Sequence, residues 1–378
     1  MKLLITDIHH GNGGGHVTYV LNLIRGLRGD HDITVAAPPS GRLMQRVREM
    51  DGVRAVPTLY TSRPFVLVRE VAALRRFLTK ERFDVVHVNG SADHRHVMLA
   101  TLGMESRPRI VWTKHNTNRL TSVGHRLRAK LGTDAAIGVS EYVGGMLKDS
   151  PYVYRPIHVV RNGVDLEHWR SVSATEKQNL RNALFGPLPT GTLVLGSSGG
   201  TDRNKGWHLL VEAAARLPAQ LRERLRLVVA GDPPSAELRE TVERSGMSAQ
   251  VCFPGLVSDV KSVLGACDAG FVLSFKEAAS YACYEAMAMG LPTLVSDAEA
   301  LPENIRDGIE GWIVPTGNVD ALVPVLQQML ENPEALPQMG MKARSRVESM
   351  FCVTQFVHQT QNVYRHVLSM SKGVPALI

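Results

Sequence analysis

Ser274-Phe-Lys-Glu277-Ala-Ala-Ser280-Tyr-Ala-Cys-Tyr-Glu285-Ala-Met-Ala-Met-Gly290-Leu-Pro292 follows a strand-like run, Ala269-Gly-Phe-Val-Leu273. Seven residues separate Glu277 from Glu285. A helix beginning near Ser280 leaves Glu277 on the loop at its mouth and puts Glu285 inside the helix. Two acceptor-rich carboxylates can then face one ligand at the carboxyl end of a strand, beside a helix N-terminus. Sugar hydroxyls need such acceptors, and phosphates favour such a terminus. Taken alone, the spacing also fits a surface loop acid and a solvated helix acid, so the flanking chain has to decide.

Outward from this segment, β-branched runs alternate with amphipathic stretches. Leu3–Ile5, Ile33–Ala37, Asp84–Val88, Ile110–Thr113 and Ala135–Val139 read as strands, with helices over 16–27 and 69–82. A second series starts at Thr192–Gly196 and a helix over 206–217. It continues with strands at Leu225–Ala230, Val251–Phe253, Ala269–Leu273 and Pro292–Ser296. Such alternation implies parallel, doubly wound sheets, an α/β class. The 378 residues suit two cores better than one. The apolar pattern lapses over 166–190, which places the division at 1–170 and 171–354, with a last helix over 355–368.

Residues 1–170 carry 25 Lys+Arg and 15 Asp+Glu, a balance of +10, leaving 18 and 21, a balance of −3, for the remainder. The basic half suggests an anionic partner: a phosphorylated acceptor, a membrane surface or nucleic acid. No basic motif is interleaved with aromatics, which argues against nucleic acid. The four cysteines are scattered without a CxxC pair, which favours a reducing compartment and no zinc site. No apolar run reaches the ~20 residues that span a bilayer. Met1–Asp7 reads as a first strand rather than a signal peptide. The expected location is cytoplasmic, including the inner face of the cytoplasmic membrane.

Gly11-Asn-Gly-Gly14-Gly15 lies between a strand and a helix, where the backbone can turn sharply and approach a ligand. Its amides suit a diphosphate; a tight turn alone is the plainer reading. The spacing misses the dinucleotide GxGxxG pattern, because His16 holds the third glycine position. His115, in Thr113-Lys-His115-Asn, sits at a strand's carboxyl end, where open α/β sheets bind ligands. His9, His10 and His16 are candidate acceptor contacts rather than metal ligands. Arg203 and Lys205, in Gly199-Gly-Thr-Asp-Arg203-Asn-Lys205-Gly206-Trp, would place two cations at a helix N-terminus. There they could stabilise a leaving diphosphate, or form a solvated loop.

Together and in this order, these motifs resemble the retaining GT-B glycosyltransferases of family 4 over nearly the whole chain. Glu277 and Glu285 match the Glu-x7-Glu signature, and Thr113-Lys-His115 matches the Thr-x-His element. Val159-Val-Arg-Asn162-Gly163-Val-Asp165, Leu301-Pro-Glu303-Asn and Asp307-Gly308-x-x-Gly311 match further segments. The resemblance implies two Rossmann-like domains facing a cleft, with the final helix, residues 355–378, crossing back to the first domain. It implies transfer of a sugar from a nucleotide-diphosphate sugar to an acceptor hydroxyl with retention of configuration, and no metal or other cofactor.

By position, Glu285 would hold the ribose hydroxyls, and Glu277 with the backbone of Ala279 and Ser280 the donor sugar. Lys205 and Arg203 would hold the diphosphate. His115 would lie by the sugar, Gly14 and Gly15 by the phosphate. Val257 belongs to the element that flanks the base, Val251-Cys-Phe-Pro-Gly255-Leu-Val257. Lys205, Glu277 and His115 are the catalytic candidates. The chain departs from the family pattern twice: Ala278-Ala279-Ser280 replaces Gly-Phe-Gly, and Gly199 stands where an arginine is usual. A lipid-linked or phosphorylated glycan, as in lipopolysaccharide or other surface polysaccharide synthesis, is the expected acceptor, met at an anionic membrane surface. A phosphorylase, an epimerase and a non-catalytic nucleotide-sugar-binding subunit are the alternatives.

Overall fold

The computed structural model describes residues 1–257 and 259–371. The chain runs β1 (Lys2–Thr6), α1 (Gly14–Leu27), β2 (Asp32–Ala37), α2 (Arg42–Arg48), β3 (Val53–Pro57), α3 (Pro64–Glu81), β4 (Val85–Val88), α4 (Ser91–Thr101), β5 (Arg109–Lys114), α5 (Val123–Leu131), β6 (Ala135–Gly138), α6 (Glu141–Lys148) and β7 (Ile157–Val159). It continues with α7 (Ala174–Phe185), β8 (Leu193–Ser197), α8 (Trp207–Ala215), α9 (Ala219–Glu223), β9 (Leu225–Val229), α10 (Ala236–Arg244), β10 (Val251–Cys252), α11 (Val260–Gly265), β11 (Ala269–Val272), α12 (Tyr281–Ala288), β12 (Thr293–Ser296), β13 (Gly311–Val314), α13 (Val319–Glu331), α14 (Leu336–Met350) and α15 (Val353–Ser369).

These elements form two compact units: residues 1–163 with the segment from Val353, and residues 164–352. The apolar pattern points to 170 and 355 instead. Residues 164–170 read as polar linker, yet they are tied into the second unit. Val164 N–H donates to Phe351 O at 2.9 Å, and Arg344 donates to the carbonyls of Leu166 and Trp169. The part of the returning segment beyond residue 371 lies outside the described residues.

Each unit holds one all-parallel sheet. The orders are β3-β2-β1-β4-β5-β6-β7 and β10-β9-β8-β11-β12-β13. Helices cover both faces of such sheets, so the strands read as unbroken apolar runs. Leu3-Leu4-Ile5 and Leu193-Val194-Leu195 are buried throughout. Full burial of each such side chain stabilises by about 1.5–3 kcal/mol. The strand order reverses between β1 and β4 in one sheet and between β8 and β11 in the other. Ligand sites of doubly wound sheets lie outside the carboxyl ends of strands at such a reversal. Among the described residues, no helix is long and apolar enough to cross a membrane.

α15 packs in the first unit through Phe356, Val357, Thr360, Val363, Tyr364 and Val367, a stripe at helical spacing. It lies close on α1, where a Cβ on Gly26 would stand 2.4 Å from a Val357 methyl. Tyr364 reaches strand β4, its hydroxyl 2.6 Å from His87 Nδ1, while His87 Nε2 meets Thr113 Oγ1 at 2.6 Å. Burial lowers the pKa of His87 from 6.5 to about 3 and likewise that of His94 to about 3.

These shifts make stability depend on pH. Below 6.5 the unfolded chain protonates these histidines and the folded chain does not. Stability is therefore full above 6.5 and falls as pH drops toward about 3. Asp93 and His9, whose pKa values are raised, act in the opposite sense, but His16 and His115, lowered by burial like His87 and His94, add to the slope. Thermal melts should show Tm falling steadily between pH 6.5 and about 4, and replacing His94 with Gln should flatten part of that slope. A Tm constant over this window would contradict the account.

Candidate functional site

Leaving β11, the chain passes the fully buried Ser274, whose carbonyl accepts from Ser296 Oγ at 2.7 Å. Three residues on, the Glu277 carboxylate is largely withdrawn from water, with 15% of its side chain exposed. A carboxylate so placed needs charged or polar donors. Its Oε2 accepts from Ser274 Oγ and from Lys205 Nζ, both at 3.1 Å. Lys205 reaches it because Gly206 turns the chain with φ 66°, and a Cβ there would lie 2.0 Å from Leu273 O. Only glycine satisfies both conditions. Phe275 N–H donates to Asn204 O at 2.9 Å, which joins the two loops.

α12 begins one residue after Ser280, whose hydroxyl caps it by accepting from Cys283 N–H at 3.3 Å. Glu285 lies in the second turn and accepts from Ser198 Oγ at 3.2 Å. Ser198 follows β8, so Glu277 and Glu285 border the ends of the two strands at the reversal, β11 and β8. Ala279 and Val257 are half-buried, and Val257 packs against the core beside Cys252 and Val260.

Arg203 lies apart. It pairs with Glu237 of α10 at 2.7 Å, both side chains mostly exposed, rather than with Glu277. Residues 203–205 form a 3-10 turn, so neither cation opens a helix as the motif suggested; α8 starts at Trp207 behind Gly206.

Glu299 belongs to this site although its sequence neighbourhood carries no signal for it. Its backbone is left-handed (φ 48°), strained for a non-glycine residue. Its carboxylate accepts from Glu277 N–H at 2.8 Å, and Ala300 N–H donates to Glu277 O at 3.2 Å. Glu277 is thus fixed through its backbone as well as its side chain.

In the first unit the reversal lies between β1 and β4. α1 starts at Gly14, after Gly13 (φ 68°); a Cβ on Gly13 would stand 2.3 Å from a Val17 methyl. The exposed Gly14 and Gly15 supply first-turn amides without helical partners, a setting that suits an anion. Three imidazoles stand in a row beside them. His9 and His16 have ring centroids 4.5 Å apart, His16 and His115 4.2 Å apart, and Tyr19 meets His115 edge-on at 4.5 Å. His9 Nδ1 lies 3.0 Å from the buried Asp7 carboxylate, a bond that raises the His9 pKa. Burial lowers the His16 pKa to about 4, and its buried Nδ1 has no hydrogen-bond partner. His10 is exposed on the same loop.

The protonation of His115 follows from its neighbours. Asn89 Nδ2 donates to Thr6 O at 3.0 Å, and a carbonyl can only accept. Asn89 must therefore turn its Oδ1 to His115 Nε2, 3.0 Å away, so Nε2 carries the proton. Burial keeps the ring's pKa well below 6.5. His115 is a neutral imidazole with Nδ1 as an acceptor. The buried Asp93 carboxylate holds Asn89 in turn, accepting from Asn89 N–H at 3.0 Å, Gly90 N–H at 3.2 Å and Thr6 Oγ1 at 2.6 Å.

Asp7, His9 and His16 offer ligand atoms within 4.8 Å of one another and could converge on a metal ion. That donor set suits zinc or a related ion.

Two family models match. Residues 13–168 fit Glycosyltransferase Family 4, and residues 183–346 fit Glycosyl transferases group 1. EpsD of Bacillus subtilis (strain 168) is 29% identical over 209 residues, 55% of this chain and 54% of that protein, so the chain spans about half of its length. The N-acetyl-alpha-D-glucosaminyl L-malate synthase of Bacillus anthracis is 24% identical over 305 residues, 78% of this chain and 77% of the other. The crystal structure of Anabaena HepE in complex with UDP superposes with a TM-score of 0.83 at 18% identity, over 97% of this chain and 100% of that one. With its two parallel Rossmann-like units, the chain belongs to the GT-B glycosyltransferases of family 4 and group 1, transferases of glycosyl groups.

Proposed function

We propose that the protein transfers a sugar from a nucleoside-diphosphate sugar to an acceptor hydroxyl with retention of anomeric configuration. The observation that carries this reading is the convergence of Lys205 and Ser274 on Glu277, at the carboxyl end of β11 beside α12. Glu285 would bind the ribose hydroxyls and Lys205 the diphosphate, whose charge grows as the bond from C1 to phosphate oxygen breaks. Glu277 and the amides of Ala279 and Ser280 would hold the donor sugar. The acceptor oxygen would bond to C1 on the face the phosphate leaves, its proton passing to the departing phosphate oxygen. His115, neutral, would accept a hydrogen bond from a sugar hydroxyl through Nδ1. Because Lys205 supplies the cation, the reaction would need no metal, and chelation should leave its rate unchanged.

The UDP-bound relative makes UDP-sugars the first donors to test. The +10 balance of residues 1–170 favours a lipid-linked or phosphorylated glycan as acceptor, in lipopolysaccharide or another surface polysaccharide. The pairing of Arg203 with Glu237 favours a second reading, a nucleotide-sugar-binding subunit without transfer. Donor binding with no turnover would select it.

Lys205→Ala and Glu277→Ala should each lower kcat by about 100- to 1,000-fold, with unchanged circular dichroism. The product should keep the donor's anomeric configuration by NMR. Full activity in either variant, or an inverted product, would sink the reading.

Asn89→Leu should lower kcat about tenfold or more by freeing the His115 ring, with little change in nucleotide affinity. Asn89→Asp should hold His115 protonated to higher pH and move the acid limb of the pH–rate profile upward. Wild-type kcat and profile in both variants would show that His115 needs no orientation.

A further inference from the structure

Helices α3, α4 and α5 cover one face of the first sheet, because the connections they make all run in the same direction along the strand order. α4 packs against both α3 and α5 and is largely buried. α3 and α5 therefore flank it, with their N-terminal ends at the carboxyl edge of the sheet, the edge that carries Asn89 and His115.

The outer surfaces of these two helices share one pattern. In the first turns of α3, Phe65 is 89% exposed and Val68 68%. Helical spacing puts Phe65, Val68, Arg69, Ala72 and Arg76 on one face. On α5, Val123, Arg126, Leu127 and Lys130 share a face and are all exposed. Tyr154, 89% exposed, stands in the 3-10 turn packed on α5. Apolar side chains and cations alternate along both faces.

The acids turn away. α5 contains none. In α3, Glu70 lies 2.9 Å from His96 Nε2 and accepts from Thr61 N–H at 3.0 Å. Glu81 is held by Lys2 and Arg54. The outward charges of the two helices are Arg69, Arg76, Lys80, Arg126 and Lys130, with Arg63 just before α3, all exposed. A stable protein interface would bury a more contiguous apolar patch with few lysines, and a nucleic acid would not use Phe65 and Val68. Apolar tips ringed by long cationic side chains match an anionic lipid interface. There the tips enter the acyl boundary, and arginine and lysine lie along it with their charges at phosphate.

We propose that the α3–α5 face of the first unit docks on an anionic phospholipid bilayer. Docked so, the edge bearing His115 lies near the headgroups, where the sugar of a lipid-linked acceptor would be presented. That consequence rests on the transfer proposed above; the lipid surface itself does not.

The test is co-sedimentation of the full chain with vesicles of phosphatidylcholine alone and with added phosphatidylglycerol, at low and high salt. The wild type should pellet with the anionic vesicles only, and salt should release it. Phe65→Ser with Val68→Ser, and separately Arg69→Glu with Arg76→Glu, should each weaken partitioning about tenfold or more, with circular dichroism and nucleotide-induced thermal shifts unchanged. No vesicle binding by the wild type, wild-type binding by both variants, or binding of duplex DNA in place of vesicles would overturn the proposal. Vesicle binding without any nucleotide-induced shift would support the surface while counting against the donor-site reading.

Discussion

The salt bridge between Lys205 and Glu277 ties the chain after β8 to the chain after β11 at the carboxyl edge of the second sheet. A carboxylate mostly withdrawn from water is costly without a partner. The partner arrives only if the chain after β8 bends through a left-handed glycine against Leu273 O. It also requires Ser274 to be buried and bonded beneath. Those conditions require β8, β11 and β12 to lie side by side with their carboxyl ends together, which the strand order provides. Glu299 then adds a second carboxylate to the backbone of Glu277 at the expense of its own strained backbone. The strain is consistent with a loop held ready for a ligand rather than relaxed around itself.

The first unit solves a different problem. Its edge gathers buried carboxylates and imidazoles, and the network sets which of them are charged. Asp7 draws a proton toward His9, whereas burial keeps His16, His87 and His115 neutral. Asp93 anchors Asn89, and Asn89 selects the His115 tautomer. A neutral acceptor beside a phosphate-friendly helix start suits the handling of a sugar better than acid chemistry. α15 closes the network from behind, through Tyr364 on His87.

Much of this was legible in the sequence because parallel strands buried on both faces announce themselves as apolar runs. β3, β7 and β13 escaped for local reasons. β3 carries the exposed Arg54 as its second residue and is nowhere fully buried, β7 has three half-buried residues with a histidine in the middle, and β13 starts at a glycine. The first turns of α3 were missed because their apolar side chains face outward, so no buried stripe marks them. Glu277, Lys205 and Glu285 were singled out through motif order. Glu299 and Asn89 were not, since their roles depend on contacts across 22 and 26 positions of chain. The path of Arg203 was equally hidden, because its partner Glu237 lies 34 residues away on another helix.

The most direct measurement is a crystal structure of the protein with UDP or a UDP-sugar bound. The account predicts diphosphate oxygens within hydrogen-bonding distance of Lys205 Nζ and ribose hydroxyls on the Glu285 carboxylate. A nucleotide bound in the second unit with neither Lys205 nor Glu285 in contact would contradict it.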